Sequence, residues 1–312
     1  MVYLIPHFGS IGILRPALES ILATDQEAVV YIGDDTHNLN LANLQFKHLN
    51  QLVIIPGPKS SFAAQINKLM TYVKKEQWVV IMNNDVRLAK DWAATIHEVI
   101  ANTTPKIGLI ASQLLLPRGV IDSAGDAFSE VGLGFKRLRH FKINSNSSKR
   151  PVSVSGALMV VRTDLWQQLK GLDEQIGTYF EDVDFGLRAY SLGYQVLYVP
   201  EAMAIHRESS NYNRTYINQQ TVRNSILVVR KNFQFPLQRV LLNRLRWWWL
   251  GYSLLHPTSL IKNRQIIREA SSLEIKMSGA KLNHLPYRYQ SVSWWQVGRE
   301  LRQNYHFTTG FW

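Results

Sequence analysis

WVVIMNNDV, residues 78–86, runs five apolar, strand-favouring residues straight into a polar turn that ends in an acid. Trp78 to Met82 show no alternation, as expected of a strand covered on both faces. Helical periodicity flanks the stretch, through Phe62 to Val73 before it and Trp92 to Ile100 after it. Working outward, VYLIP (2–6), a helix through Leu14 to Leu22, AVVYIG (28–33) and IGLIAS (107–112) continue the alternation. Strands alternating with helices predict βαβ units and an α/β nucleotide-binding sandwich on a mostly parallel central sheet. Ligands collect at the carboxyl ends of such strands, which is where Asn83, Asn84 and Asp85 fall.

Residues 113–150 break the rhythm with Gly119, Gly125, Gly132 and Gly134, and NSNSSKR (144–150) reads as a mobile surface loop. PVSVSGALMVV (151–161) reads as a strand, and Asp164 to Leu169 as a short helix stopped by Gly171. A second strand pair, YQVLYVP and AMAI, leads to His206, and from about Tyr216 the long apolar-periodic segments predict helices.

With no cysteine in 312 residues, disulfides, thiolate metal sites and cysteine nucleophiles are excluded, so any metal binds through oxygen or imidazole. The N-terminus does not read as a signal peptide, and no stretch reaches the roughly 18 apolar residues of a membrane span. The net charge of +12 is unevenly placed. Residues 1–206 hold 19 basic and 19 acidic residues; residues 207–312 hold 16 and 4, together with six of the nine tryptophans. A neutral module (1–212) followed by a basic, aromatic helical region (213–312) is the expected organisation.

The chemistry-bearing residues each have a plain reading beside a functional one. Asp85 can hold a divalent cation or cap the next turn. His206 can complete an oxygen-rich Mn²⁺ or Mg²⁺ site or be a structural strand-end histidine. Glu181 and Asp182 precede a helix whose apolar side is Phe185, Leu187, Ala189, Tyr190 and Leu192. They can be first-turn acids of a capping box, or one of them a general base that takes the proton of an attacking hydroxyl.

Taken in order, five blocks over residues 2–206 carry a resemblance: YLIPHFG, VYIGDDT, SFAAQIN, MNNDV, and SGALMVVRTDLWQQLKGLDEQIGTYFEDVDFGLRAYSLGYQVLYVPEAMAIH. This set resembles family 2 glycosyltransferases, inverting enzymes of the GT-A fold. The resemblance implies that Asp34 or Asp35 contacts the nucleotide, with Pro6, His7, Asn67, Asn83, Asn84 and Gly156 around the nucleotide-sugar. It implies Asp85 and His206 as metal ligands, Asp182 as catalytic base, and Glu181 with Trp166 on the acceptor side. The first acid of the family's Asp-X-Asp motif is Asn83 here. IDSAGDAFS, followed by glycines, is similar to rhamnosyl- and galactofuranosyltransferases, and implies that Asp122 and Asp126 line an acceptor groove. The implied donor is a UDP- or dTDP-sugar, and the acceptor a glycan or polyprenyl-linked glycan of bacterial surface polysaccharide.

In the basic region, Arg244, Arg246, Trp247 to Trp249, Tyr252, Leu254 and Leu255 suit a membrane-interface face attracted to anionic lipid. That places the chain peripherally on the inner face of the cell membrane; the alternative is that the aromatics pack the helices onto the catalytic domain. No nucleic-acid-binding motif accompanies the charge, so no nucleic-acid partner is expected. A noncatalytic sugar-nucleotide or glycan-binding partner is the rival reading. A nucleotidyltransferase would need a phosphate loop that HFGSIGILRP does not supply.

Overall fold

The computed structural model describes residues 1–35, 39, 49–57, 59–143, 150–208, 213–255, 257–275 and 281–286. In chain order the first part comprises β1 (Val2–His7), α1 (Ile11–Thr24), β2 (Val29–Asp34), β3 (Leu52–Pro56), α2 (Phe62–Met70), β4 (Trp78–Met82), β5 (Val86–Leu88), α3 (Trp92–Asn102) and β6 (Ile107–Leu115). There follow β7 (Ile121–Ser123), β8 (Asp126–Phe128), β9 (Gly134–Lys136), β10 (Leu158–Arg162), α4 (Thr163–Leu169), α5 (Glu181–Ser191) and β11 (Gln195–His206).

The central sheet has the order β3-β2-β1-β4-β10-β6-β11-β5, with β7 also on β6. β3, β2, β1, β4, β6 and β11 point one way, while β10, β5 and β7 run against them. Successive strand residues face opposite sides, and both sides are covered. Tyr3, Ile5, Val80 and Met82 meet Leu14, Leu18, Ile21, Trp92 and Ile96 of α1 and α3. Leu4, Val79 and Ile81 meet Ile66, Leu69, Leu165 and Phe185 of α2, α4 and α5. Each such fully buried aliphatic contributes roughly 1.5–3 kcal/mol. This is the α/β sandwich expected, with β10 as an antiparallel insertion into it.

Two local expectations are corrected. Residues 151–157 are not a continuous strand: the strand is Leu158–Arg162, and the preceding residues form a buried irregular segment with one bridge, from Ser153 to Asp126. The two strands expected over 194–205 are one, β11, with a register shift between Val199 and Met203 that accommodates Pro200, which has no N–H to give. Where the strand and helix alternation breaks, over 113–150, the chain forms the short strands β7, β8 and β9, which no expectation anticipated; residues 144–149 of NSNSSKR, expected to be a surface loop, lie outside the described residues.

Helices α6 (Arg214–Asn232), α7 (Leu237–Leu255) and α8 (Pro257–Ser272) follow. They are built onto the sheet domain through a shared core in which Phe128, Leu133, Phe180, Val183 and Leu187 meet Val222, Ile226, Val229, Phe233, Leu241 and Trp249. The change at residue 213 is thus one of architecture within a common core. The helical turn of 100° per residue divides the tryptophan run. Trp249 is buried with its Nε1 3.2 Å from Ser225 Oγ, Trp248 is half-buried, and Trp247 is 72% exposed. Among the described residues no helix is long and apolar enough to cross a membrane.

Candidate active site

Because six strands share a direction, β1, β2, β4 and β11 bring Pro6, Asp35, Asn83 to Asp85 and His206 to one cavity of about 610 Å³. Asp126, Gly156, Glu181 and Asp182 also line it, as do Lys136, Arg139 and Glu208.

At the end of β2 the adjacent acids part. Asp35 lines the cavity, its carboxylate accepting from Gln65 Nε2 at 2.6 Å and from the Ser60 N–H at 3.1 Å; burial raises its pKa. Asp34 is buried and accepts from the Leu39 N–H at 3.0 Å, outside the cavity lining. Four other expected nucleotide or acceptor residues, His7, Asn67, Trp166 and Asp122, also lie off the cavity. His7 is buried, its Nδ1 receiving Asn84 Nδ2 at 2.8 Å, and burial lowers its pKa. Asn67 exchanges hydrogen bonds with the main chain of Leu172 (2.9 Å each way), tying α2 to the end of α4. Trp166 packs in the core with its ring tilted against Phe185, centroids 5.2 Å apart, filling the space between α4 and α5.

His206 has Asp122 Oδ2 at 2.8 Å from Nδ1 and Asp85 Oδ1 at 3.5 Å from Nε2. Burial disfavours the imidazolium, but the hydrogen bonds to Asp122 and Asp85 outweigh it and raise the pKa to about 9. Asp122 occupies the Nδ1 side of the ring, so a neutral imidazole would offer Nε2 beside Asp85, and that nitrogen and oxygen pair suits Mn²⁺ or Mg²⁺. Asp122, His206 and Glu208 offer ligand atoms within 4.8 Å of one another as well. That group already carries two cations. Lys136 Nζ lies 2.9 Å from both Asp122 oxygens, and Arg139 contacts Asp122 and holds Glu208 at 2.8 and 2.9 Å. A further cation there meets an ammonium and a guanidinium, so the Asp85 side of the ring fits better. Asp122 is 0% exposed and does not line an acceptor groove as expected. It fixes the ring of His206 from behind, the arrangement that makes a histidine a good ligand through its other nitrogen.

The acid pair is set by an abrupt turn. Tyr179 (φ 68°) and Phe180 (φ 72°) are both left-handed, at a cost of roughly 1–2 kcal/mol each, and α5 begins at Glu181. Asp182 accepts from the Gly156 N–H and the Val183 N–H, each at 2.8 Å. Glycine at 156 leaves the acid pair room: a Cβ there would lie 3.1 Å from Glu181 Oε1, a tight contact, and 3.4 Å from Asp182 Oδ2. Burial raises the Asp182 pKa, opposed by those two N–H groups and by Lys136. Burial, and then the charge of Asp182, push the pKa values of Asp126 and Glu181 well above the ordinary carboxylate range. Glu181 Oε2 is buried without a hydrogen-bond partner among the described residues, which suits it to receive a ligand hydroxyl.

Lys136, Arg139 and Glu208 escaped the sequence reading. GFKRLR gives no local signal that it will meet residue 206, because only the β6 pairings with β7 and β11 bring residues 122 and 206 together.

A GT-A glycosyltransferase is the class this sheet, cavity and acid pair define. The family description "Glycosyl transferase family group 2" matches residues 78–267, and the chain belongs to that family. It is 23% identical over 222 residues to the O-antigen biosynthesis protein RfbC of Myxococcus xanthus, a match that covers 67% of this chain and 17% of that much longer protein. It is 24% identical over 219 residues to the N-acetylglucosaminyl-diphospho-decaprenol L-rhamnosyltransferase of Mycobacterium tuberculosis (62% of this chain, 71% of the relative). Among solved structures, the mannosyltransferase PcManGT of Pyrobaculum calidifontis, in complex with GDP-Man and Mn²⁺, shares the fold with a TM-score of 0.54 at 14% identity, over 88% of this chain and 76% of that one.

Proposed function

We propose that the chain is a metal-dependent, inverting glycosyltransferase that moves a sugar from a nucleoside diphosphate, a UDP- or dTDP-sugar, to a glycan or polyprenyl-linked glycan in surface polysaccharide synthesis. The observation that carries this reading is a single cavity lined both by the Asp85 and His206 pair and by the Glu181 and Asp182 pair. The rhamnosyltransferase and O-antigen relatives support the substrate class.

In this reading Asp35 orients the nucleotide, and Glu181 receives an acceptor hydroxyl on its unpartnered oxygen. Asp182 takes the proton of the attacking hydroxyl as that oxygen bonds the anomeric carbon and the bond from this carbon to the phosphate oxygen breaks. The electron pair leaves with the nucleoside diphosphate, and attack opposite the leaving group inverts the centre. Asp85 and His206 would hold the cation, whose chemistry there is to neutralise the departing diphosphate. Asp85→Ala and His206→Ala are expected to weaken Mn²⁺-dependent binding of a nucleoside diphosphate by about tenfold or more while leaving the fold intact, since losing even an outer-shell partner of a metal ligand typically costs about 10–100-fold. Isothermal titration with and without Mn²⁺ measures this; wild-type affinity in both variants would contradict the assignment.

The helical region supplies the membrane side of the reading. Val240 (43% exposed) and Trp247 (72%) are seven residues apart on one face of α7, flanked by exposed Arg239 and Arg246. Such a face suits the interface of an anionic leaflet, holding the chain at the inner surface of the cell membrane near a lipid-linked acceptor. Cosedimentation is expected with phosphatidylglycerol vesicles and not with phosphatidylcholine alone, and to weaken in Trp247→Ala. Equal behaviour on both lipids would remove this part of the reading.

A further inference from the structure

Helix α6 passes behind the turn that delivers the acid pair. Asn224 is 0% exposed, and its Nδ2 reaches three main-chain oxygens: Ile176 at 3.0 Å, Thr178 at 2.9 Å and Tyr179 at 2.7 Å. Its Oδ1 accepts from Arg223, whose guanidinium also donates to the Gln175 carbonyl at 2.9 Å. The three carbonyls converge because the chain doubles back into two consecutive left-handed residues, Tyr179 and Phe180, neither of them glycine. Side chains disfavour that backbone, so it persists only where its surroundings impose it. A primary amide is suited to impose it, since it alone among neutral side chains brings two N–H donors to one point.

The turn decides where Asp182 points. Phe180 is the residue before α5 and has no side-chain cap of its own. The next residues project Glu181 into the cavity and set Asp182 against the Gly156 N–H. A second bond reinforces this, from Ser153 Oγ to the Asp182 carbonyl at 2.5 Å. Relaxing the turn toward ordinary backbone angles would swing the first turn of α5 away from Gly156.

We propose that Asn224 is a positioning residue for the catalytic base: its amide holds the left-handed turn at Tyr179 and Phe180 and so fixes the carboxylate of Asp182 at the cavity. The helical region then contributes to chemistry as well as to any surface it binds. This rests on Asp182 acting as the base.

The test is steady-state kinetics on the full chain with Mn²⁺ and a donor the wild type turns over, for Asn224→Ala and Asn224→Ser. Active molecules are counted by the stoichiometry of Mn²⁺ and nucleoside diphosphate binding. Asn224→Ala is expected to lower kcat per binding-competent molecule by about 100-fold, the scale of a misplacement near 1 Å. Donor KM is expected to stay within about twofold, because the donor-side residues stand on other elements. The acid limb of the pH profile moves upward as Asp182 loses its hold on the Gly156 N–H. Asn224→Ser keeps one donor hydrogen and falls between. If either variant yields fewer binding-competent molecules, each with wild-type kcat and an unmoved acid limb, Asn224 is merely structural and the proposal is overturned. Should Asn224→Ala fail to fold, Asn224→Ser decides by the same criteria. A wild type that binds no nucleotide and turns over no donor would instead overturn the transferase reading.

Discussion

Asp182→Asn is expected to lower kcat about a thousandfold, within the 10²–10⁴ that a positioned general base contributes, with nucleotide affinity near the wild-type value. The amide keeps the size of the carboxylate, and its one oxygen can still accept from one of the two N–H groups, of Gly156 or of Val183, that the carboxylate takes on separate oxygens. It cannot take a proton. In the proposed reading the donor is held elsewhere, by Asp35, Asp85 and His206 at strand ends of the same cavity, so binding and turnover are expected to separate. The pH dependence has a definite sign. The base works as its carboxylate, and burial raises its pKa above the ordinary value of about 3.9. Activity therefore falls as pH drops through that raised value, and the acid limb of kcat/KM lies above the range of a free aspartate. Retention of a tenth or more of wild-type kcat would remove Asp182 from the role.

Asp184→Ala is expected to produce the largest loss of stability, about 3–5 kcal/mol, the cost of breaking a buried ion pair. Asp184, third acid of the cluster, is 0% exposed and points away from the cavity. It accepts from Arg188 Nε at 2.7 Å, from Lys231 Nζ at 2.9 Å and from Asn232 Nδ2 at 2.8 Å. Removing it leaves a guanidinium and an ammonium, both almost fully buried, facing each other without the shared carboxylate. Burial opposes ionisation of Asp184, but Arg188 and Lys231 prevail and its pKa is lowered. A lowered folded-state pKa means stability that is complete above the ordinary aspartate value and is lost as pH falls through the lowered one. Urea denaturation at neutral pH measures the effect, and a change under about 1 kcal/mol would contradict the ion-pair argument.

Asp182 and Asp184 illustrate what the sequence makes legible. Both stand in one EDVD run at the start of α5, where local patterning predicts a helix N-terminus but does not tell the two acids apart. Their different fates depend on α6, which brings Lys231 and Asn232 from nearly fifty residues away. The strand-end residues were readable because a strand core and the turn after it adjoin in sequence, as in WVVIMNNDV. Asp34 and Asp35 were not separable, since which of two neighbours faces the cavity depends on the loops that receive them. Asp122 was misplaced for a similar reason. Only the pairing of β6 with both β7 and β11 reveals it as the support of His206. Trp166 and Asn67 sit inside motif blocks but serve packing and loop closure, roles that a linear motif cannot distinguish from ligand contact.

The most direct test of the central claim, that this cavity binds a nucleotide-sugar and Asp182 drives its transfer, uses purified wild-type and Asp182→Asn protein with Mn²⁺ and a panel of UDP-, dTDP- and GDP-sugars. Thermal stabilisation and slow donor hydrolysis are followed together. The expected result is that one donor stabilises both proteins and only the wild type releases its nucleoside diphosphate. If no nucleotide-sugar stabilises either protein, with or without metal, the claim is contradicted.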